Sequence, residues 1–212
     1  TAGPGAMAPV NLPTRFAAMD HLRAQINAAL CAGQRLLVAF DIGFGYPVGF
    51  AERLTGQAQA LAVWDWLAAR IEDDAKNRNN RFQVAAAMNR AFPGLGPFWG
   101  RPVGLDLPDL PAKGRARHGH GLAELRATEG LCAGAHPVWK LFTTGSVGSQ
   151  SLLGQAHLAR LRAEYGAALQ VWPMQVADAP VVLVETYLSL IDGPVRAATD
   201  YACKDAAQVD LL

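Results

Sequence analysis

Residues 36–47 run from an apolar segment through a carboxylate into a turn: Leu36-Leu37-Val38-Ala39-Phe40-Asp41-Ile42-Gly43-Phe44-Gly45-Tyr46-Pro47. The apolar run predicts a buried strand, and the glycines allow a ligand or another backbone segment to come close to the end of that strand. Many α/β proteins build a site in this way. Asp41 is therefore either a carboxylate of a site or the cap of the following turn.

Outward from this strand, apolar residues recur at helical spacing in some segments and run together or alternate in others. We predict helices from Thr14 to Gly33 and at about 61–71, 80–92 and 151–165, a terminal helix that opens at 204, and strands at 36–40, 138–142, 169–172 and 181–187. Strands that alternate with helices favour an α/β sandwich around a mostly parallel or mixed sheet.

We predict one α/β domain over residues 9–212. Residues 94–137 are rich in Pro and Gly and poor in periodicity, which indicates an irregular insertion. The basic centre of this insertion could contact phosphates, or it could be a solvated loop. Residues 1–8 resemble a flexible leader or a remnant of cloning. The chain stops within an apparent helix, so we expect the natural chain to continue.

Composition limits the class of protein. The chain has 212 residues, 51% hydrophobic and 17% charged, with a net charge of +1, which fits a folded domain and gives no general field for nucleic acid. No apolar run approaches the roughly 20 residues that span a bilayer. No secretory signal is visible, and the three cysteines fit neither a metal pair nor a disulfide framework. We therefore predict a cytoplasmic protein without membrane contact.

Two local patterns leave alternatives open. The helix predicted at 61–71 ends in Glu72-Asp73-Asp74, where negative charge opposes the helix dipole. These acids either meet a nearby cation or, as we expect, are solvated. The aromatic run from Phe92 to Trp99 either stacks a base or, as we expect, packs in the core.

Acids within apolar segments form the first candidate site. Glu185 lies in the apolar run at 181–187, where an unpaired charge is costly, and Asp205 lies in the first turn of the terminal helix. Together with Asp41 they could converge on Mg²⁺ or Mn²⁺, which prefer oxygen ligands and can activate phosphodiester cleavage. Lys204 could hold a phosphate. Alternatively, Glu185 pairs with a buried Arg or Lys, Asp205 caps its helix and Lys204 pairs with an acid.

A glycine- and serine-rich loop before a predicted helix forms the second candidate. Its backbone N–H groups and the helix N-terminus could bind an anion of a cofactor, with Lys140 nearby. The segment does not match the phosphate-binding P-loop, and capping and tight turning explain it equally well. The residues predicted to bind a cofactor are Lys140, Thr144, Gly145, Ser146, Gly148 and Ser149.

Several motifs resemble a family of uncharacterised proteobacterial proteins that is often labelled a molybdopterin-guanine dinucleotide synthesis protein. The motifs are Phe40-Asp41-Ile42-Gly43-Phe44-Gly45-Tyr46-Pro47, Ala62-Val63-Trp64-Asp65-Trp66-Leu67, Asn79-Asn80-Arg81-Phe82, the segment from Trp139 to Gln150, and Lys204-Asp205-Ala206-Ala207-Gln208. More distantly, the acid-bearing strands are similar to predicted nucleases with an RNase H-like fold. This similarity implies a mixed sheet flanked by helices, with Asp41, Glu185 and Asp205 as metal ligands. Nothing before Pro9 matches the Asp-bearing strand with which such proteins open.

These observations lead to two expectations about function. The first is a metal-dependent enzyme for phosphoryl or phosphodiester chemistry, in which Asp41, Glu185, Asp205 and Lys204 act on a phosphate-containing small molecule or nucleic acid. The second is a non-catalytic accessory protein of molybdenum cofactor metabolism that binds a nucleotide or a pterin cofactor. The sequence gives no oligomeric state.

Overall fold

The structure is a computed structural model that describes residues 9–132, 134–199, 201 and 203–211, without the side chains of residues 189, 192, 205, 210 and 211. The helices in it are Arg15–Cys31 (α1), Phe50–Thr55 (α2), Ala60–Ala68 (α3), Arg81–Asn89 (α4), Ala127–Gly130 (α5), Val147–Tyr165 (α6), Asp192–Ala197 (α7) and Lys204–Leu211 (α8). The strands are Leu36–Phe40 (β1), Leu169–Trp172 (β2) and Val181–Glu185 (β3), and short 3-10 turns occupy Gly114–Ala116, Gly166–Ala168 and Leu188–Ile191.

The protein is a mixed α/β structure built on a small parallel sheet. The strand order is β1-β3-β2, and both neighbouring pairs are parallel. The register pairs Phe40 with Glu185 and Trp172 with Val184. The carboxyl ends of all three strands therefore lie at the same edge of the sheet, where α/β proteins place their ligands.

One face of the sheet is covered by helices. Leu183 and Val171 point into a buried cluster with Ile26 of α1, Trp64 of α3 and Leu158 of α6. On the other face Leu37 is 67% exposed and Trp172 is 51% exposed. The alternation of β1 follows from this arrangement, because successive side chains of a strand point to opposite faces.

A second buried cluster lies away from the sheet and is rich in aromatic rings. Phe50 of α2 stacks on Phe92 with ring centroids 5.2 Å apart, and Trp139 meets Phe98 edge to face at 5.2 Å. These rings come from an irregular part of the chain as well as from a helix. The expectation that the aromatic run packs in the core is confirmed for Phe92 and Phe98.

Helix α6 joins the two clusters. Leu152 and Ala156 pack in the aromatic cluster, whereas Leu158 and Leu161 pack against the sheet. Both ends of a long helix are thus buried, which explains why its sequence has no single apolar face. No helix among the described residues has the length and apolar character that crossing a bilayer requires.

The sequence predicted most elements, with errors at their ends. Thr14 caps α1 as expected, because its hydroxyl accepts a hydrogen bond from the N–H of Ala17 at 3.1 Å. The strands at 36–40 and 169–172 are confirmed, and the last strand ends at Glu185 rather than at 187. Within 94–132 and 134–137, which the structure describes, the chain is irregular except for the 3-10 turn Gly114–Ala116 and the single helical turn α5.

Two predictions of local structure are wrong. Residues 138–142 do not form a strand, since only a single bridge joins Lys140 to Trp99. Helix α6 begins at Val147, four residues earlier than predicted, so part of the glycine- and serine-rich loop is helical. Gly148 allows this early start, because a Cβ there would lie 2.3 Å from the carbonyl oxygen of Val138.

Candidate functional site

Two predicted site residues share one small cleft. Asp41 follows β1 directly, Glu185 ends β3, and these strands are neighbours in the sheet. Both residues line a cavity of about 100 Å³, which we call the acid cleft. Its walls are formed by Asp41, Ile42, Gly43, Arg126, Glu129, His136, Val147, Gln150, Glu185, Thr186 and Tyr187.

Within the acid cleft Glu185 is fully engaged with a cation. Arg126 donates from both terminal nitrogens to the two carboxylate oxygens of Glu185, at 2.9 and 2.6 Å. The N–H of Phe44 donates to the same carboxylate at 2.8 Å. Of the alternatives that the sequence left open for Glu185, the structure therefore has the buried salt bridge, and the glutamate also fixes the turn after β1.

Arg126 holds a second buried acid as well. It donates to Glu129 at 2.8 Å, and the backbone N–H of Arg126 donates to the other oxygen of Glu129 at 2.7 Å. Burial alone would lower the pKa of Arg126, but the two carboxylates outweigh it and raise that pKa. Tyr187 lies against the same guanidinium, with its hydroxyl 3.0 Å away. The cluster is thus a compact network of opposite charges.

The other predicted catalytic residues lie on the last helix. Lys204 begins α8 and Asp205 follows it, but the side chain of Asp205 lies outside the described residues. The structure therefore gives no distance from Asp205 to Asp41 or Glu185. Among the side chains that the structure describes, no three His, Cys, Asp or Glu residues form a group that could hold a metal.

The predicted cofactor loop is bonded within the protein. The N–H of Gly148 donates to the carbonyl of Lys140 at 2.9 Å, and that of Ser149 donates to Ser146 at 3.2 Å. The ammonium of Lys140 donates to the carbonyl of Thr144. Gly145 packs against the ring of His136, which leaves no room for a Cβ. Of these residues, Ser149 also faces a different and larger cavity.

This larger cavity has a volume of about 490 Å³, and we call it the Arg81 cavity. It lies beside the carboxyl end of β1, is open to solvent on one side, and is bordered by α1, α6 and the loop before α4. Its wall combines apolar side chains with a few polar ones: Arg15, Ala18, Met19, Phe40, Ile42, Asn77, Asn79, Arg81, Ser149, Gln150, Leu153, Gly154, His157 and Leu158. Ligand cavities of proteins commonly have this size and composition.

Arg81 is partly buried in the cavity wall, and no described carboxylate pairs with it. Its Nε donates to the hydroxyl of Ser149 at 2.9 Å, and one terminal nitrogen donates to Asn79 at 2.9 Å. Among the described residues, no Asp or Glu forms an ion pair with it. Burial, followed by the positive charge of Arg15, lowers the pKa of Arg81, and Asp73 opposes this only in part.

Arg15, in contrast, is neutralised. It donates to both oxygens of Asp73, whose side chain is 0% exposed, and Asp73 also meets the Nε2 of His157 at 2.9 Å. Burial alone would raise the pKa of Asp73, but the bonds to Arg15 and His157 lower it. The expectation that the acids at 72–74 are solvated is therefore wrong for Asp73, because Arg15 of α1 pairs with it.

Sequence reasoning assigned no role to Arg81, although a signal was present. Arg81 is the first residue of α4, where a positive charge opposes the helix dipole. Asp73 showed the corresponding mismatch, a negative charge after the C-terminal end of a predicted helix, at the other end of the loop that precedes α4. A cation at the start of a helix requires other contacts that stabilise it. For Arg81 these are the hydrogen bonds from its guanidinium to the hydroxyl of Ser149 and the amide oxygen of Asn79.

Comparison with known proteins gave no match. No family model, no curated protein and no solved structure is similar to this chain at a significant level. The resemblance described above therefore depends on its motifs alone, and the acid cleft and the Arg81 cavity are the features of the structure that bear on function.

Proposed function

We propose that this protein binds a small organic anion in the Arg81 cavity. The observation that carries the proposal is a guanidinium with no carboxylate partner among the described residues, at the wall of a largely apolar cavity of about 490 Å³. A partly desolvated cation gains stability from a matching anion, because both then regain the interactions that water supplied. A nucleotide or pterin cofactor, which the family resemblance implies for an accessory protein, is also an organic anion, but the phosphates and sugar hydroxyls of a nucleotide suit a largely apolar wall less well than a hydrophobic body does.

The test is a fluorescence titration with anilinonaphthalene sulfonate, an aromatic dye that carries one negative charge. We expect saturable binding with one dye per protein, and we expect Arg81→Met to weaken it roughly tenfold or more, as loss of a charged hydrogen-bonded contact does. Arg70→Met is the matched control, since Arg70 stacks on Trp66 outside the cavity. Equal affinity in wild type and Arg81→Met would refute the proposal.

Divalent-metal-dependent phosphoryl or phosphodiester chemistry on an RNase H-like fold is the second proposal, for a cytoplasmic protein. It is supported by Asp41 and Glu185, which line one cleft at the ends of adjacent parallel strands. As the described residues stand, they do not fit a metal, because Arg126 occupies both oxygens of Glu185. We therefore derive no catalytic step. Mg²⁺ or Mn²⁺ would require Arg126 to release Glu185, with Asp41 and Asp205 as further ligands and Lys204 toward phosphate.

Calorimetric titration with Mn²⁺ tests this second proposal. Binding at millimolar metal that Asp41→Asn abolishes would support it. An Asn at position 41 keeps the size of the side chain but loses the charge that a hard cation needs. Absence of heat in the wild-type protein would leave the acid cleft as a structural network that joins Arg126 to the end of the sheet.

A further inference from the structure

The Arg81 cavity also indicates which anion it accepts, and this inference rests on the function proposed above. We infer that the ligand is a hydrophobic monocarboxylate, with its carboxylate on Arg81 and its apolar body along the wall formed by β1, α1 and α6. A phosphate monoester, a polyphosphate and a neutral lipid fit the same cavity less well. Charge, donor geometry and wall chemistry support this assignment independently.

The charge at the cavity favours a monoanion. Arg15 and Asp73 form a closed ion pair, and His157 contacts the same Asp73. The charges of Arg15, Asp73 and Arg81 sum to +1, which is the charge of Arg81. A carboxylate carries one negative charge and balances this site. A phosphate monoester carries between one and two at neutral pH and would leave excess negative charge in a partly desolvated place.

Arg81 still offers hydrogen-bond donors to a ligand. A guanidinium has five N–H groups, and Arg81 uses Nε for Ser149 and one N–H of a terminal nitrogen for Asn79. Three N–H groups of the two terminal nitrogens have no hydrogen-bond partner among the described residues, one on Nη1 and two on Nη2. Two parallel N–H groups match the two oxygens of one carboxylate. Ser149 and Asn79 also hold the fork still, which reduces the entropy lost on binding.

The apolar part of the cavity wall favours a hydrophobic ligand body. Phe40 and Ile42 extend β1 along one side, and Met19, Leu153 and Leu158 close the others. These side chains offer no hydrogen bonds, so a ligand with sugar hydroxyls or a second charge would lose its hydration without replacement. An alkyl or aromatic body gains free energy against the same wall, in proportion to the area that it buries.

The experiment compares three probes that each contain one chain of eight carbon atoms: octanoate, in which the carboxylate carbon is the eighth, octyl phosphate and 1-octanol. Each is titrated calorimetrically into the wild-type protein below its critical micelle concentration. We expect octanoate to bind most tightly, with 1-octanol and octyl phosphate each weaker by about tenfold or more. Arg81→Met should reduce octanoate binding to the level of 1-octanol, and Arg70→Met should leave the order unchanged.

A second variant keeps the test valid if Arg81→Met does not fold. Ala18 is exposed on α1 at the rim of the cavity, so Ala18→Phe should narrow the entrance and leave the core intact. We expect it to weaken octanoate binding without changing the melting temperature. Thermal unfolding of every variant confirms that it is folded.

The outcomes distinguish failure of the hydrophobic monocarboxylate from failure of organic-anion binding in general. Tighter binding of octyl phosphate than of octanoate, with both lost in Arg81→Met, would overturn the monocarboxylate and leave organic-anion binding in place. Equal binding of octanoate and 1-octanol, unchanged in Arg81→Met, would overturn both. Absence of binding by all three probes, together with dye binding that depends on Arg81, would overturn only the hydrophobic monocarboxylate.

Discussion

Arg126 is the residue on which the two most buried acids of the acid cleft depend. Its side chain is 10% exposed, and its guanidinium contacts Glu185 and Glu129, whose side chains are 17% and 1% exposed. A buried pair of this kind adds little net stability, because desolvation of the charges offsets their attraction. Removal of one partner destabilises the protein strongly, because it leaves the other charge buried without a counter-charge.

We therefore predict that Arg126→Ala lowers the free energy of unfolding by about 3–5 kcal/mol. Urea denaturation followed by circular dichroism measures this change. The matched control is Arg90→Ala, because the ion pair of Arg90 with Asp109 is 61% and 41% exposed, and such a pair contributes at most about 1 kcal/mol. A loss below about 1 kcal/mol in Arg126→Ala would show that the two acids are not held by this guanidinium.

Asp73 gives a prediction about pH. Its pKa in the folded protein is lowered by Arg15 and His157 against the effect of burial, so folding favours the ionised form. The stability from this contact is fully present above the unfolded pKa, which is about 3.9, and is lost as pH falls through the lower folded pKa. Asp73→Asn should be less stable than wild type by about 1–3 kcal/mol at pH 7.

The difference between Asp73→Asn and wild type should have its full size near pH 5 and should shrink below about pH 4. Thermal unfolding at a series of pH values measures it. Asp20→Asn is the control, because Asp20 pairs with Arg23 at 75% exposure and we expect no comparable change. A difference between Asp73→Asn and wild type that persists undiminished at pH 3 would contradict the assigned ionisation.

For single residues, the sequence predicted which charged side chains need a partner better than it predicted the partners themselves. The position of Glu185 in an apolar strand showed that the charge must be paired or face a cleft. Its partner, Arg126, lies 59 residues earlier in an irregular segment, and no periodicity connects the two. Partners that meet only through tertiary structure leave no local pattern in a single sequence.

At the scale of elements, the start of α6 depends on a glycine. A Cβ at Gly148 would lie 2.3 Å from the carbonyl oxygen of Val138 and 2.8 Å from that of Lys140. The N–H of Gly148 donates to that same Lys140 carbonyl, so the segment and the helix cannot separate without losing a hydrogen bond. This close approach fixes Ser149 where it can hold Arg81.

We predict that Gly148→Ala destabilises the protein by about 1–3 kcal/mol, the usual effect of overpacking. The gain in helix propensity, up to about 1 kcal/mol, acts in the opposite direction and is smaller. Gly130→Ala in α5 is the control, since a Cβ at Gly130 meets nothing within 4 Å. Chemical denaturation of both variants measures the contrast, and a stabilised Gly148→Ala would mean that α6 can move away from the 138–141 segment.

Element prediction succeeded where the local pattern and the tertiary structure agree. Strand β1 is a short apolar run with a sharp end, and Thr14 precedes a helix with a standard cap. Residues 138–142 alternate like a strand, but Trp139 is buried by aromatic rings instead of by a sheet. An alternation of apolar and polar residues predicts that the apolar side chains are buried. It does not predict whether a sheet or other side chains cover them.

For the whole molecule, the irregular segment 94–137 contributes to the core. Phe98 and Leu110 are 0% exposed, and Asn89 of α4 bonds to the backbone of Phe98 in both directions, at 2.8 and 2.9 Å. The Pro- and Gly-rich composition correctly predicted a lack of regular structure. It could not predict that the segment is packed, since burial in an irregular chain follows no period.

We predict that Phe98→Ala lowers the free energy of unfolding by about 3–5 kcal/mol, as the loss of a buried phenylalanine does in a regular core. Val103 lies in the same irregular segment but is fully exposed, and Val103→Ala should change stability by less than about 0.5 kcal/mol. Urea denaturation of the two variants measures the contrast. Similar small effects would mean that residues around 98 detach from the rest of the protein at little cost.

Because α6 contributes to both buried clusters, its position limits where the chain can be divided into two fragments. Leu152 on one end serves the aromatic cluster and Leu161 on the other serves the sheet, so neither cluster is complete without this helix. If the chain is divided before Val147 and the two fragments are expressed separately, each should be poorly soluble. Each fragment exposes an apolar surface that the other fragment covers in the intact protein. When mixed, they should recover structure together, which makes the junction before α6 a suitable break point for a split reporter.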